Sequence, residues 1–330
     1  MERPPRNFSH RLTHPMPARA AAISEASWFF REHILGMLRK APALPPPAPT
    51  ELPREGVTWV GHASFVLQMS GTTLLLDPVW SLRLPGGIRR LQAPGVPWEQ
   101  LPPVDGVLLS HNHFDHLDLP TLRRLPEGTP ILAPAGLAGW LRKQGLPHAR
   151  EFDWWEGGAV GNLHAELVPA HHWSRRGFLD TNRSLWGGWV VSDGRRKVYF
   201  GGDTAYGMFF RQIGHRHPDI DTALLPIGAY APRQANGSAH MDPEEAVAAF
   251  QDCRARTMVP MHWGAFRLSP EPVLEPIERC RAAWKAAGLE SHRLAELAPG
   301  QSLAFAARGK PAHLPRPPRP APASRVRAKA

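Results

Sequence analysis

Residues 111–116 read HNHFDH and place three imidazole groups and one carboxylate within six residues. The segment directly follows a continuous apolar run at 106–109, which predicts a buried strand. Imidazole and carboxylate groups are ligands that divalent transition metals prefer. In a sharp loop, the first two histidines can point to one side, and the aspartate and the last histidine to the other. The spacing therefore favours a site for two metal ions.

Histidine and aspartate side chains also follow three other strand-like runs of the sequence. These are His171 and His172 after residues 163–168, Asp203 after 197–200 and His262 after 257–261. Because α/β folds build their sites at strand ends, we expect these side chains to meet the HNHFDH loop. Two metal ions about 3.5–4 Å apart need a shared oxygen ligand, and Asp203 is the best candidate for it.

Short strand-like runs and helix-like segments alternate through the middle of the chain, which predicts layered α/β structure. The predicted strands are residues 57–60, 64–69, 73–76, 106–109, 163–168, 186–192, 197–200, 222–226 and 257–261. The predicted helices are residues 120–125, 136–144, 242–253 and 272–287. The third of these helices has the strongest start signal, because Asp242 is suited to the N-cap and Pro243 to the first helical position.

The net charge of +10 belongs to the two ends of the chain. Residues 1–40 carry +4 and residues 308–330 carry +7, which leaves −1 for residues 41–307. A nearly neutral body offers no surface that tracks phosphates, so nucleic acid is not an expected partner. The proline-rich stretches at 41–49 and 311–322 lie near the same ends.

These features predict three segments. We expect an N-terminal leader at 1–50, a folded domain at 51–307 and a disordered basic tail at 308–330. Within the leader, residues 28–40 are expected to form a short helix that packs on the domain or lies at a membrane interface. The basic ends can make weak peripheral contact with an anionic membrane.

The cysteine content and the apolar runs bear on the compartment. The chain has two cysteines, Cys253 and Cys280, and no CxxC motif, which predicts two buried free thiols in a reducing compartment. No apolar run approaches the ~20 residues of a membrane span. Residues 1–30 contain no continuous apolar stretch of the kind found in secretory signals. We therefore expect a cytoplasmic protein, at most peripheral to the membrane.

The order of these motifs resembles the metallo-β-lactamase superfamily, and within it the branch of N-acylphosphatidylethanolamine-hydrolysing phospholipases D. The HxHxDH pattern marks the superfamily, whereas DWWE at 153–156, SLWGGW at 184–189 and HMDPEEA at 240–246 resemble that branch. Matching segments run in the family's order over about three quarters of the chain. The resemblance implies an α/β fold, a single-domain αββα sandwich.

The same resemblance implies a set of site residues. It assigns one Zn²⁺ ion to His111, His113 and His172, a second to Asp115, His116 and His262, and a bridging position to Asp203. It further implies that Asp77 orients the HNHFDH loop. His62 and His240 are implied to lie at the mouth of the site, where they contact the substrate or the leaving group. Together with Asp115 they are the candidate catalytic residues.

The implied enzyme is a zinc-dependent phosphodiesterase of the phospholipase D type. Two Zn²⁺ ions would lower the pKa of a shared water toward ~7, and the hydroxide would attack the phosphorus of an N-acylphosphatidylethanolamine-like lipid. A lactone or ester hydrolase acting on a small, sugar-phosphate-like substrate stays open, because the same hydroxide serves both reactions. A metal-retaining binding protein without activity and a homodimeric assembly also stay open.

Two further features concern a lipid substrate. Five tryptophans are expected either to pack in the core or to form an aromatic wall for acyl chains: Trp154, Trp155, Trp173, Trp186 and Trp189. Residues 233–239 (RQANGSA) are small and polar, whereas the animal phospholipases of the branch have bulky apolar residues there that help face a membrane. Membrane docking through this loop is therefore expected to be weaker.

Overall fold

The structure of the chain is a computed structural model that describes residues 7–12 and 51–306. The helix predicted at 28–40, the proline-rich stretches at 41–49 and 311–322 and the tail predicted at 308–330 lie outside the described residues. Residues 51–306 build two β-sheets and six α-helices. None of the helices in the described part is long and apolar enough to cross a membrane.

The first sheet has seven strands in the order β13-β1-β2-β3-β4-β5-β6. They are Gly56–Gly61 (β1), Ser64–Met69 (β2), Thr72–Leu76 (β3), Gly106–Leu108 (β4), Ile131–Pro134 (β5), Ala149–Phe152 (β6) and Ser302–Ala304 (β13). The strands β3 to β6 pair in parallel, whereas β1 pairs antiparallel with both β2 and β13. The parallel strands therefore end at one edge of the sheet, where the chain leaves β4 for the HNHFDH loop.

The second sheet has six strands in the order β12-β11-β10-β9-β8-β7. They are Gly157–Val160 (β7), Leu163–Val168 (β8), Gly188–Ser192 (β9), Lys197–Phe200 (β10), Thr222–Pro226 (β11) and Thr257–Met261 (β12). The strands β10, β11 and β12 pair in parallel, whereas the pairs β7–β8, β8–β9 and β9–β10 are antiparallel. Asp203 and His262 follow parallel strands and so lie at the same edge.

The helices other than the one-turn helix Arg233–Asn236 cover the outer faces of the two sheets. The helices are Leu119–Leu122 (α1), Ala138–Lys143 (α2), Phe209–Arg216 (α3), Arg233–Asn236 (α4), Pro243–Asp252 (α5) and Glu275–Ala286 (α6). Alternation along β2 shows the layers, since Phe65 and Leu67 pack in the cluster between the sheets. Val66 instead packs in a cluster with Leu122 of α1 and Leu141 of α2. On the other side, α3, α5 and α6 pack against the second sheet. The predicted αββα sandwich is confirmed.

All nine predicted strands are present, with bounds that differ by at most two residues. The sequence does not predict β5, β6, β7 and β13, which have only three or four residues each, although β4 and β10 of the same length are predicted. The helix α3 also lacks a prediction. The two cysteines are buried and free, as expected.

The start of α5 follows the sequence signal closely. The side chain of Asp242 accepts a hydrogen bond from the Glu245 backbone, and the Glu245 side chain accepts one from the Asp242 backbone, which completes a capping box. Just before it, the segment expected as a polar loop forms the one-turn helix α4. The Asn236 carbonyl accepts a hydrogen bond from the His240 backbone N–H at 2.8 Å, so this turn positions His240.

Candidate metal centre

One edge of the sandwich collects polar side chains from the ends of six strands. They are His62 after β1, Asp77 after β3, the HNHFDH loop after β4, His172 beyond β8, Asp203 beyond β10 and His262 after β12. Parallel strands that end at a common edge bring these distant positions together. The structure gathers all seven side chains that the resemblance implies as metal ligands at this edge.

Three histidines form a first group. His111 Nε2 and His172 Nε2 lie 2.8 Å and 3.2 Å from His113 Nδ1. The other ring nitrogens of His111 and His172 also have partners. His111 Nδ1 lies 2.9 Å from Ser110 Oγ, and His172 Nδ1 lies 3.0 Å from the Ala239 carbonyl. These contacts fix the ring orientations, and the three ligand nitrogens all lie within 4.8 Å of one another.

A second group combines one carboxylate with two histidines. Asp115 Oδ2 lies 3.4 Å from His116 Nε2 and 3.5 Å from His262 Nε2. The rings of the two histidines stack at 5.3 Å between centroids, and the ligand atoms of Asp115, His116 and His262 all lie within 4.8 Å of one another. This group and the first one use different members of the HNHFDH loop, which is the division that two metal ions require.

Asp203 reaches both groups. Its Oδ1 lies 3.0 Å from His262 Nε2, and its Oδ2 lies 3.1 Å from His116 Nε2. The same Oδ2 lies 3.9 Å from His172 Nε2 in the first group. A single carboxylate between two sets of nitrogen ligands has the position that a bridging ligand needs.

The donor set fits divalent cations. Among the described residues, the buried ligand atoms His116 Nε2, His262 Nε2 and Asp203 Oδ1 have no hydrogen-bond partner, because their close approaches to one another lack the geometry of a hydrogen bond. Such buried polar atoms are costly unless something binds them. Burial disfavours charge, yet Asp203 and Asp115 raise the pKa of His116 well above its usual value and that of His262 to about 9. The two buried carboxylates thus require positive charge at the point where the ligands converge.

Asp77 anchors the HNHFDH loop through close polar contacts with Ser110 and His116. Its Oδ2 lies 2.7 Å from His116 Nδ1, and its Oδ1 accepts a hydrogen bond from the Ser110 backbone N–H at 2.7 Å. The Ser110 hydroxyl also donates to the Asp77 carboxylate. Burial raises the pKa of Asp77, against the opposing effect of the His116 hydrogen bond. The position of Asp77 matches the orienting role that the resemblance implies.

Residues 72–263 of the chain match the family model of the beta-lactamase superfamily domain. The chain belongs to the beta-lactamase superfamily. A relative from Caenorhabditis elegans, N-acyl-phosphatidylethanolamine-hydrolyzing phospholipase D 1, is 35% identical over 242 residues, which cover 68% of each chain. The motif order predicted both the superfamily and the resemblance to this branch, and both are confirmed.

Two further comparisons concern a second relative and a solved structure. An uncharacterized protein of Mycobacterium tuberculosis is 44% identical over 241 residues, or 70% of this chain and 64% of that one. The chain therefore matches less than two thirds of that relative's length. The crystal structure of isothiocyanate hydrolase from Delia radicum gut bacteria is 22% identical, with a TM-score of 0.63 over 76% of this chain and 99% of that chain. At this identity the structural match shows the fold alone. The chain thus has the fold and a His/Asp cluster typical of the superfamily's metal-dependent hydrolases.

His62 does not lie at the mouth of the site, and that expectation is wrong. Its side chain is 1% exposed and lies beneath Asp115, with Nε2 at 2.9 Å from Asp115 Oδ2. The tight connection from β1 to β2 gives His62 a φ of 59° and turns the ring inward against His262, at 4.1 Å between centroids. Burial lowers the pKa of His62 to about 3, so its ring is neutral.

His240 lies where the sequence placed it, at the opening. It lines the cavity above the cluster, and its Nδ1 lies 3.9 Å from Asp203 Oδ2. His171, which directly precedes the candidate ligand His172, faces away from the cluster, with its ring against Phe209 at 4.7 Å between centroids. The chain direction at Ala170 thus separates two adjacent histidines, and His172 alone of the pair joins the cluster.

Sequence reasoning missed Arg176, which braces the HNHFDH loop from outside. Its Nη1 donates hydrogen bonds to the carbonyls of Asn112 at 3.0 Å and Leu117 at 2.8 Å. The guanidinium also lies 4.2 Å from the centre of the Phe114 ring. The Arg176 guanidinium therefore holds residues at both ends of the loop. Burial lowers the pKa of Arg176 to about 10, and nothing in its sequence neighbourhood signals this role.

The cluster opens into a cavity of about 290 Å³ with an apolar wall. That wall includes Leu84, Ile88 and Leu268, with Phe114 and Trp173 on the side of the HNHFDH loop. Of the five tryptophans considered for an acyl-chain wall, Trp173 lines this cavity, whereas Trp186 and Trp189 are fully buried between the sheets. Trp154 and Trp155 also lie outside the cavity lining.

Proposed function

We propose that the chain is a two-zinc phosphodiesterase of the phospholipase D type that hydrolyses N-acylphosphatidylethanolamine-like phospholipids. The reaction would release an N-acylethanolamine and a phosphatidate. The observation that carries the two-metal part is the Asp203 carboxylate, which contacts ligand groups on both sides. The lipid part is supported by the 35% identity to the nematode phospholipase, together with the apolar wall of the cavity.

In this proposal the ligands divide as the two groups do. One Zn²⁺ ion would be held by His111, His113 and His172, the other by Asp115, His116 and His262, with Asp203 shared between them. When bound, the zinc ions supply a Lewis acid for the phosphoryl oxygens and a water of lowered pKa. Zinc suits the site because nitrogen and carboxylate ligands without thiolates are common in catalytic zinc centres.

The remaining site residues orient the ligands and the substrate. Asp77 would hold the His116 ring by its Nδ1 atom and so keep Nε2 available as a ligand. The His62 ring would hold the Asp115 carboxylate through its Nε2 atom. His240 lies at the opening, where its ring can donate a hydrogen bond to the oxygen of the leaving group. The apolar wall would exclude water from the lipid portion of the substrate.

The domain organisation forms part of the same proposal. The hydrolase domain would comprise residues 51–307, preceded by the leader at 1–50 and followed by the basic tail at 308–330. Within the leader, Phe8 packs in the core cluster between the sheets. The substrate would be a phospholipid or a smaller molecule with the same phosphodiester. We also propose a cytoplasmic location at the membrane surface, where such lipids are found.

A substrate panel tests the reaction. The zinc-loaded chain is assayed on detergent-dispersed N-acylphosphatidylethanolamine, on a short-chain soluble analogue and on a sugar-phosphate lactone. We expect release of N-acylethanolamine from the first two, and its loss in Asp203→Asn. Lactone opening without phosphodiester cleavage would support the small-substrate hydrolase instead, and the absence of all three activities in metal-loaded protein would support a binding role.

A further inference from the structure

We propose that Glu271 is a positioning residue that sets the place of the His240 ring above the cluster. Glu271 lies in the segment between β12 and α6. It acts at a distance, through the backbone of residues 229–231 and through Asn236. The inference rests on the role that the proposed function gives to His240, and it adds the part of the chain that holds this histidine in place.

The ring of His240 makes no hydrogen bond to any of the described residues. Its Nδ1 atom is buried, and Asp203 Oδ2 lies 3.9 Å from it. The neighbouring rings of His172 and His262 lie at 5.1 Å and 5.6 Å between centroids. The position of the His240 ring is therefore fixed by its backbone and by packing, and not by a polar contact of its own.

Two hydrogen bonds hold the His240 backbone on the side of α4. Its N–H donates to the Asn236 carbonyl at 2.8 Å, and its carbonyl accepts from Arg233 Nη1 at 2.9 Å. The Asn236 side chain in turn donates from Nδ2 to the Ala231 carbonyl at 2.7 Å. The turn that carries His240 is thus tied to the segment 229–231.

The carboxylate of Glu271 binds two backbone N–H groups of that segment. Its Oε1 accepts from Ala229 at 2.7 Å, and its Oε2 accepts from Ala231 at 3.1 Å. Each carboxylate oxygen is an acceptor, so one side chain serves both donors. A glutamine has one acceptor oxygen and would turn its NH₂ donor toward the other N–H. Both contacts therefore need a carboxylate, and Glu271 is buried, so little water competes for them.

The segment needs this support because its backbone is unusual and lies beside the cluster. Ala229 has a φ of 63°, which L residues rarely adopt and which persists only where surrounding contacts fix it. A Cβ added to Gly228 would lie 2.2 Å from the His262 carbonyl oxygen, so the segment runs directly against the end of β12. Ala229 also lines the cavity together with His240. Loss of the Glu271 contacts would therefore move a wall of the cavity.

Tyr230, between the two bound N–H groups, offers a comparison within the same segment. Its hydroxyl donates to Glu275 Oε1 in α6 at 2.7 Å. A single hydroxyl needs one acceptor, which the oxygen of a glutamine also supplies. The same change from carboxylate to amide thus breaks a contact at Glu271 and keeps the contact at Glu275, which makes E275Q a matched control.

Steady-state kinetics of the zinc-loaded chain on a short-chain N-acylphosphatidylethanolamine tests the proposal. We expect kcat of E271Q to fall by about tenfold or more, because a small displacement of a reacting group costs that much. The KM and the zinc content should stay at their wild-type values, and E275Q should keep the wild-type kcat. Adding E271Q to H240Q should cost less than about twofold, because the group that Glu271 positions is already absent.

Hydrogen exchange measured by mass spectrometry follows the same path without any substrate. In the zinc-loaded protein we expect faster exchange in E271Q over residues 227–232 and also over residues 236–241, with wild-type exchange in E275Q. Faster exchange over 227–232 alone would show a purely local contact and overturn the proposal. If the chain cleaves no phosphodiester, the proposed reaction fails, and exchange over 236–241 still decides whether Glu271 holds the His240 turn.

A second variant breaks the same path at its next link. N236A removes the hydrogen bond to Ala231 and leaves Glu271 intact, so it decides the question even where the melting temperature shows that E271Q does not fold. We expect N236A to lower kcat, and this loss should also disappear in the H240Q background. A wild-type kcat in E271Q, loss of zinc from E271Q, or losses that add fully to that of H240Q would overturn the proposal.

Discussion

Asp77 Oδ2 lies 2.7 Å from His116 Nδ1, and both side chains are fully buried. The carboxylate comes from the end of β3 and the imidazole from the loop after β4, two neighbouring parallel strands. The contact fixes which nitrogen of His116 faces Asp203. A buried residue that touches no substrate thus controls the orientation of a ligand at the centre of the cluster.

This contact gives the first prediction. Asp77→Asn keeps the size of the side chain but removes the charge that the His116 ring contacts. We expect zinc affinity about 10–100-fold weaker, the range found when a partner behind a metal ligand is lost. Competition with a chromophoric chelator measures the affinity, and circular dichroism checks the fold. An affinity equal to that of the wild type would contradict the orienting role.

The bridging position of Asp203 gives the second prediction. Asp203→Asn should purify with less metal and lose nearly all activity, because both ligand groups share that carboxylate. His240→Gln should keep its metal and lose only rate, since His240 lines the cavity. Elemental analysis of both variants, purified without chelator, makes the comparison. Full metal content in Asp203→Asn would refute the shared ligand.

Much of this site follows from the sequence because of the order of strands and ligands. A cluster such as HNHFDH can be seen in six letters, and each other ligand follows a strand. How deeply a side chain is buried cannot be predicted in this way. The sequence places His62 after β1 but does not reveal that the turn points its ring beneath Asp115. Arg176 escapes prediction for a related reason, because its partners are two backbone carbonyls more than 50 residues away.

Metal removal gives the third prediction. Without metal, the cluster leaves several buried ring nitrogens and one carboxylate oxygen without hydrogen bonds. A ligand that binds only the folded state, at about a thousand times its Kd, adds ~4 kcal/mol of stability. We therefore expect a chelator to lower the melting temperature by about 10 °C. Adding zinc back should restore it, and an unchanged melting temperature after verified metal loss would contradict the fit of the site.

The Arg176 brace gives the fourth prediction. Arg176→Lys keeps the charge but cannot hold the Asn112 and Leu117 carbonyls with the same planar group. We expect the free energy of unfolding to fall by about 1–3 kcal/mol, the cost of leaving such buried groups unpaired. Zinc affinity should fall as well, because the loop carries four candidate ligands. The neighbouring Arg175→Lys is the matched control, since Arg175 is exposed, and it should change neither quantity.

The two thiols give the last prediction. Burial raises the pKa of Cys253 to about 12 and that of Cys280 to about 12. Alkylating reagents attack the thiolate, and a raised pKa leaves almost none of it at neutral pH. We expect no modification of either cysteine by iodoacetamide at pH 7 in the folded protein, and full modification after denaturation. Mass spectrometry counts the adducts. The variant L179C serves as a positive control, because position 179 is 85% exposed. Rapid labelling of Cys253 or Cys280 in folded protein would show that α5 or α6 opens readily, because both cysteines pack in the cluster between these helices and the second sheet.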